Sequence, residues 1–142
     1  MEQKKLGFGM MRLPLTDPND QKSIDVAQVQ QMVDEYMAKG FNYFDTAWMY
    51  HNFKSEDFMG EVLQDGYREK VNLATKLPIW LVESEDDVMK YLDIQLEKLK
   101  TDHVDFYLIH GLEKDRWEKV MQLPANKVYE VNGFRFVAIS PE

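Results

Sequence analysis

Short apolar runs alternate along this chain with longer stretches in which apolar residues recur every three or four positions. Leu6–Leu13 (LGFGMMRL) reads as a first strand. Thr16–Gln21 holds Asp17, Pro18 and Asn19, residues that favour turns. Val26, Val29, Met32, Val33, Tyr36 and Met37 then fall at helical spacing on one face. Gly40 follows, where a left-handed residue would end that helix. Phe41–Asp45 (FNYFD) reads as a second strand. Ser55 is placed to cap the next helix, with Glu56 and Asp57 complementing its positive N-terminal end. Val71–Lys76 (VNLATK) is a third strand. Ser84 and the acidic run Glu85–Asp87 open a longer helix. Its face is Val88, Tyr91, Leu92, Gln95, Leu96 and Leu99, with Gln95 the one polar member. Val104–His110 (VDFYLIH) is a fourth strand.

The order β-α-β-α-β-α-β predicts an α/β fold of parallel strands joined by crossover helices. The internal strands are almost wholly apolar, as expected when both faces are covered. The pattern then loosens. Trp117–Val120 begins another helix that Pro124 would interrupt. Val128–Val131 and Phe134–Ile139 flank Asn132-Gly133, the local pattern of a hairpin. Residues 1–120 therefore read as one unit and residues 121–142 as a divergent tail.

Composition narrows the possibilities. The chain has 142 residues, enough for one domain with a core. Its formal net charge is -8 and no Lys/Arg run stands out, so no nucleic-acid partner is expected. It has no cysteine, which excludes disulfides, thiolate metal sites, iron–sulfur clusters and a cysteine nucleophile. No metal site is expected. The start lacks the apolar core of a signal peptide, and no run approaches the ~20 apolar residues of a membrane helix. The expectation is a soluble, cytoplasmic protein without a membrane partner.

Three consecutive strands end in an ionisable residue: Asp45, Lys76 and His110. Tyr50 follows Asp45 within the same strand-to-helix loop. In a parallel α/β barrel the C-terminal ends of the strands meet around one mouth. These four groups make chemical sense as a set. A carbonyl that accepts hydride becomes an alkoxide and needs a proton. A phenol, with a reference pKa of about 10, gives one up more readily beside an ammonium. A carboxylate can orient that ammonium, and an imidazole can orient the carbonyl. None of the four stores a hydride, so a cofactor must supply it.

The segments LGFGMMRLPL, FNYFDTAWMYHNFKSEDFMGEVL, VNLATKLP and HVDFYLIHGL resemble the aldo/keto reductases. They run in that family's order from residue 5 to about residue 120. The resemblance implies Tyr50 as general acid, Lys76 as the residue that tunes it, and Asp45 as the partner of Lys76 near the nicotinamide ribose. It implies that His110 positions the substrate carbonyl and that Met11 and Arg12 lie beside the nicotinamide. The wording is closest to a bacterial branch. Many full-length members of that branch end in a cysteine-rich, ferredoxin-like segment, absent here.

A complete (β/α)8 TIM barrel takes about 250 residues. The resemblance therefore implies a partial barrel of four to five parallel strands. Gly133–Ser140 (GFRFVAIS) resembles the family's fifth strand, an alternative to the hairpin. In the family, later strands and loops hold the NADP pyrophosphate, 2'-phosphate and adenine. The expected function is NADPH-dependent reduction of aldehydes or ketones by a truncated copy with impaired activity and weak or absent NADPH binding. The alternative is a catalytically inactive half-barrel that acts by association or has no function of its own. Open sheet edges predict a homodimer of half-barrels, or else poor solubility and molten behaviour.

Other features have plainer readings. Gly7-Phe8-Gly9 lacks the third glycine and following helix of a dinucleotide fingerprint and reads as tight backbone. His51 and His103 read as surface residues, and the nine methionines as core filler. Trp48 and Trp80 lie in loops after strands, which makes them substrate-pocket candidates, with packing the competing role.

Overall fold

The structure, a computed structural model, describes residues 5–122 and 136–137. Besides two short 3-10 helices, nine α-helices and β-strands follow one another within these residues: β1 (Gly7–Gly9), α1 (Val26–Ala38), β2 (Tyr43–Asp45), α2 (Ser55–Val62), β3 (Asn72–Leu77), α3 (Glu85–Leu99), β4 (Phe106–Ile109), α4 (Lys114–Gln122) and β5 (Phe136–Val137). All strand pairings are parallel, in the order β1-β2-β3-β4-β5. The expected α/β architecture is therefore present, and the strand order follows the chain. The hairpin expected over Lys127–Ile139 lies outside the described residues except at Phe136–Val137. Those two residues pair parallel with Tyr107 and Leu108, as a fifth strand does.

Parallel register fixes which side chains share a face. Tyr43 stands beside Asn72, Asp45 beside Ala74, and Lys76 beside Leu108. Their neighbours in sequence point the other way, towards the helices. There Phe44, Leu73, Leu77 and Tyr107 are 1% exposed or less. Val29, Val33 and Tyr36 of α1 are buried with them in one cluster. Phe8 joins them, its ring 5.4 Å from those of both Tyr36 and Phe44. Burying each such side chain stabilises the fold by about 1.5–3 kcal/mol. The opposite, concave face is half-covered: Tyr43, Asn72, Phe106 and Leu108 are all partly exposed.

The helix ends follow their local chemistry. Gly40, at φ 77, stops α1 as expected. Ser84 and Asp87 form a reciprocal capping box at the start of α3. Two expectations need correction. Val26 and Met32 are exposed, because the buried stripe of α1 is narrower than its apolar pattern and both lie on its flanks. Ser55 does not cap α2. Lys54 occupies that position, and the Ser55 hydroxyl turns inward to Thr46 Oγ1 (2.9 Å) and the Met10 carbonyl (3.3 Å).

Gly60 sets the spacing of α2 and α3. A Cβ there would lie 2.5 Å from the Lys98 carbonyl oxygen and 2.7 Å from the Leu99 carbonyl carbon. Only glycine lets the two backbones approach this closely. Among the described residues no helix is long and apolar enough to cross a membrane.

Candidate active site

The C-terminal ends of β2, β3 and β4 are tied side by side. The Thr46 amide donates to the Ala74 carbonyl (2.9 Å), and the His110 amide to the Leu77 carbonyl (3.0 Å). This ladder brings Asp45, Lys76 and His110 to one edge of the sheet. The Lys76 ammonium donates to both Asp45 oxygens, at 2.7 and 2.8 Å, and to the Thr46 carbonyl at 2.7 Å. An ammonium has three protons, so this set of acceptors matches its donors. Lys76 Nζ also sits 4.9 Å from the centroid of the Tyr50 ring. The His110 ring meets Tyr50 nearly edge-on, with centroids 5.8 Å apart.

Tyr50 owes its position to an unusual turn. The next three residues, His51, Asn52 and Phe53, all adopt left-handed backbone, with φ of 51, 50 and 70. Such conformations are costly for residues with a side chain and are retained where surrounding contacts impose them. One contact is His51 itself. The expectation of a surface histidine is corrected: His51 is 4% exposed. Its Nε2 accepts from the Leu13 amide (3.2 Å), and its Nδ1 lies 2.9 Å from the Gln21 carbonyl. Those partners assign Nδ1 as the protonated nitrogen. The ring thereby clips the Tyr50 loop to the segment after β1. A lone histidine in a polar loop gives no periodic signal from which this could be read. His103, by contrast, is exposed as expected.

His110 is electrostatically distinct. Burial lowers its pKa from the usual histidine value, as do the Lys76 and Arg116 cations, with Asp45 opposing them. The imidazole is thereby favoured in its neutral form, with one donor and one acceptor nitrogen. Its Nδ1 is buried without a hydrogen-bond partner among the described residues.

The two tryptophans part company. The ring centroids of Trp80 and His110 lie 5.1 Å apart, and the Arg116 guanidinium carbon stands 5.8 Å from the Trp80 ring centroid. Trp48 instead packs against Tyr91 of α3 (5.4 Å) and Phe53 (6.5 Å), beneath the Lys98 ammonium. Its contacts are those of the packing alternative. Met11 and Arg12 are exposed just beyond β1. The Met10 amide donates to the Asp45 carbonyl (2.9 Å), which sets this segment beside the tetrad.

Residues 5–141 match the family model described as Aldo/keto reductase family. The chain belongs to the aldo/keto reductase family. It is 34% identical over 116 residues to the uncharacterized oxidoreductase YqkF of Bacillus subtilis, covering 75% of this chain and 35% of the relative. It is 30% identical over 119 residues to methylglyoxal reductase YeaE of Escherichia coli, covering 78% of this chain and 40% of the relative. Among solved structures it resembles the holo form of aldo-keto reductase AKR11C1 from Bacillus halodurans. That match has a TM-score of 0.64 at 27% identity and covers 96% of this chain and 46% of the other. It shares its fold with an aldo-keto reductase from Klebsiella pneumoniae in complex with NADPH, with a TM-score of 0.61 at 23% identity, covering 93% and 44%.

The described sheet is thus part of a TIM barrel of the aldo/keto reductase type. The chain spans between about a third and a half of the length of these relatives and structures. Four polar residues to which the sequence gives no site role are fully buried close to these strands: Thr46, Glu56, Thr75 and Gln95. One signal did exist for Gln95, as the polar member of an otherwise apolar helix face.

Proposed function

We propose that this chain carries the catalytic half-site of an NADPH-dependent reductase of aldehydes or ketones. The observation that carries this reading is the placement of Lys76, hydrogen-bonded to Asp45 and set over the Tyr50 ring, with His110 across that ring. Tyr50 is the proton donor to the carbonyl oxygen as charge develops there. Lys76 supplies a positive charge that favours the phenolate left behind. Asp45 and the Thr46 carbonyl hold the ammonium in that place. His110, in its neutral form, donates one hydrogen bond that orients the carbonyl. Trp80 walls the substrate beside His110.

Bound NADPH would supply the hydride. Met11, Arg12 and Asp45 fit the nicotinamide end, since the first two are exposed and the Met10 amide binds the Asp45 carbonyl. A relative named as a methylglyoxal reductase and a structure of this fold in complex with NADPH support the reading. We assign no described residue to the cofactor phosphates. The 142-residue chain alone is therefore expected to bind NADPH weakly.

A second reading, a half-barrel that acts by association, draws on the partly exposed concave face of Tyr43, Asn72, Phe106 and Leu108. One experiment separates the two. The chain is fused to the C-terminal half of the Bacillus halodurans relative and supplied with NADPH and an aromatic aldehyde. Aldehyde-dependent loss of NADPH absorbance supports the reductase. A folded fusion that binds NADPH and consumes none favours the inactive half-barrel.

A further inference from the structure

Glu56 is a carboxylate with no surface exposure, in the first turn of α2. The sequence suggests that it complements the helix end. Its contacts point elsewhere. Oε1 accepts from the Thr75 hydroxyl (2.7 Å) and from the Gln95 side-chain amide. Oε2 accepts from the Lys98 ammonium (3.2 Å). The two oxygens therefore address two different parts of the fold.

On the Oε1 side lies the strand that carries Lys76. Thr75 is the residue before it, and the Gln95 amide also donates to the Lys76 carbonyl (3.0 Å). The Gln95 carbonyl in turn accepts from the Tyr107 hydroxyl (2.7 Å) of β4. On the Oε2 side lies the loop that carries Tyr50. Lys98 donates to the Phe53 carbonyl (3.0 Å), at the end of the left-handed turn, and stands 5.0 Å from the centroid of the Trp48 ring. Among the described residues Glu56 is the carboxylate paired with Lys98, so its charge holds in place the ammonium that tethers the turn.

We propose that Glu56 is a positioning residue for the Lys76–Tyr50 pair, its carboxylate holding strand β3 with one oxygen and, through Lys98, the Tyr50 loop with the other. This rests on the reductase reading for its consequence in turnover, though not for its geometry. Buried ionic groups cost desolvation and are kept where the fold needs them paired. Here one charge aligns two segments whose side chains must meet within a few ångströms, and misplacement of about 1 Å can cost on the order of a hundredfold in rate.

The test uses Glu56→Gln, which keeps volume and one acceptor oxygen but removes the charge facing Lys98. In 15N-labelled full chain, the expected result is displaced or broadened amide signals at residues 50–53 and of the Trp48 indole, with β1 and α1 unmoved. Thr75→Val should do the converse, displacing Lys76 and sparing the loop. Should Glu56→Gln fail to fold, Lys98→Met reads the loop arm in its place. Shifts spread evenly over the molecule, or a loop that does not respond, overturn the proposal. In the fused enzyme kcat should fall roughly ten- to a hundredfold with the aldehyde KM unchanged. Wild-type turnover in Glu56→Gln also overturns it. A fusion inactive even as wild type counts against the reductase reading, and the spectra then decide the positioning role alone.

Discussion

Lys76 meets Tyr50 through the face of its ring: the ammonium stands 4.9 Å from the ring centroid while its protons are directed to Asp45 and the Thr46 carbonyl. The charge is thus held by one set of groups and felt by another. That division makes separate predictions for the three side chains.

Asp45→Asn should weaken the hold without removing the cation. One amide oxygen can still accept, but the amide nitrogen would face the ammonium. Loss of a charge-assisted hydrogen bond costs about 1.5–3 kcal/mol, with the lower part of that range expected because the Asp45 side chain is 28% exposed. A urea midpoint shift reads this loss. In the fused enzyme Lys76→Met should cut turnover further than Asp45→Asn, since it deletes the charge itself. Equal turnover in the two variants would show that the charge at Lys76 is not what matters.

His110 gives a pH dependence with a definite sign. Its folded-state pKa lies below the ordinary histidine value of about 6.5. The unfolded chain therefore takes up a proton first as pH falls. Its contribution to stability is complete above the ordinary value and is lost as pH drops from there towards the folded pKa. Denaturation midpoints across this range should decline less steeply in His110→Gln than in wild type. Parallel profiles would remove His110 as the source.

Gly60 offers a test of packing. Alanine favours helix by about 1 kcal/mol over glycine. At this position its methyl would strike the Lys98 and Leu99 backbone. Overpacking of this kind costs about 1–3 kcal/mol, so Gly60→Ala should melt several degrees lower. Gly9→Ala is the control, because nothing lies within 4 Å of a Cβ there. A Gly60→Ala melt at or above the wild-type temperature would mean that α2 and α3 sit farther apart.

The exposed concave face predicts association of the 142-residue chain in solution. Tyr43 and Phe106 pack ring to ring there, with centroids 5.4 Å apart, and remain partly exposed. A second copy could bury them at roughly 25 cal/mol per Å². Light scattering should report a dimer or larger species. A monodisperse monomer with a sharp melt would refute it.

Much of this was legible in the chain. The four strands and their helices followed from period and punctuation, because the strands are written as short apolar runs, although the face expected to be covered is partly exposed at Tyr43, Asn72, Phe106 and Leu108. The tetrad was legible because each member ends or closely follows a strand. What escaped was non-local. His51 and Ser55 look like a surface ring and a helix cap, and only the left-handed turn after Tyr50 rotates both inward. Glu56 resembles an ordinary first-turn acid until α3 brings Gln95 and Lys98 against it. Trp48 and Trp80 occupy equivalent loops, and packing alone separates their surroundings. β1 also proved shorter than its apolar run, because the chain turns from Met10 onward, after its last ladder bond to Asp45.

The most direct test of the central claim is Tyr50→Phe in the fused enzyme, with turnover and NADPH affinity measured on the same sample. Only the hydroxyl is removed, so the ring that faces Lys76 and His110 stays in place. Aldehyde reduction should fall by on the order of a hundred- to ten-thousandfold, the usual contribution of a positioned acid, while NADPH binds as tightly as before. Turnover equal to wild type would contradict it.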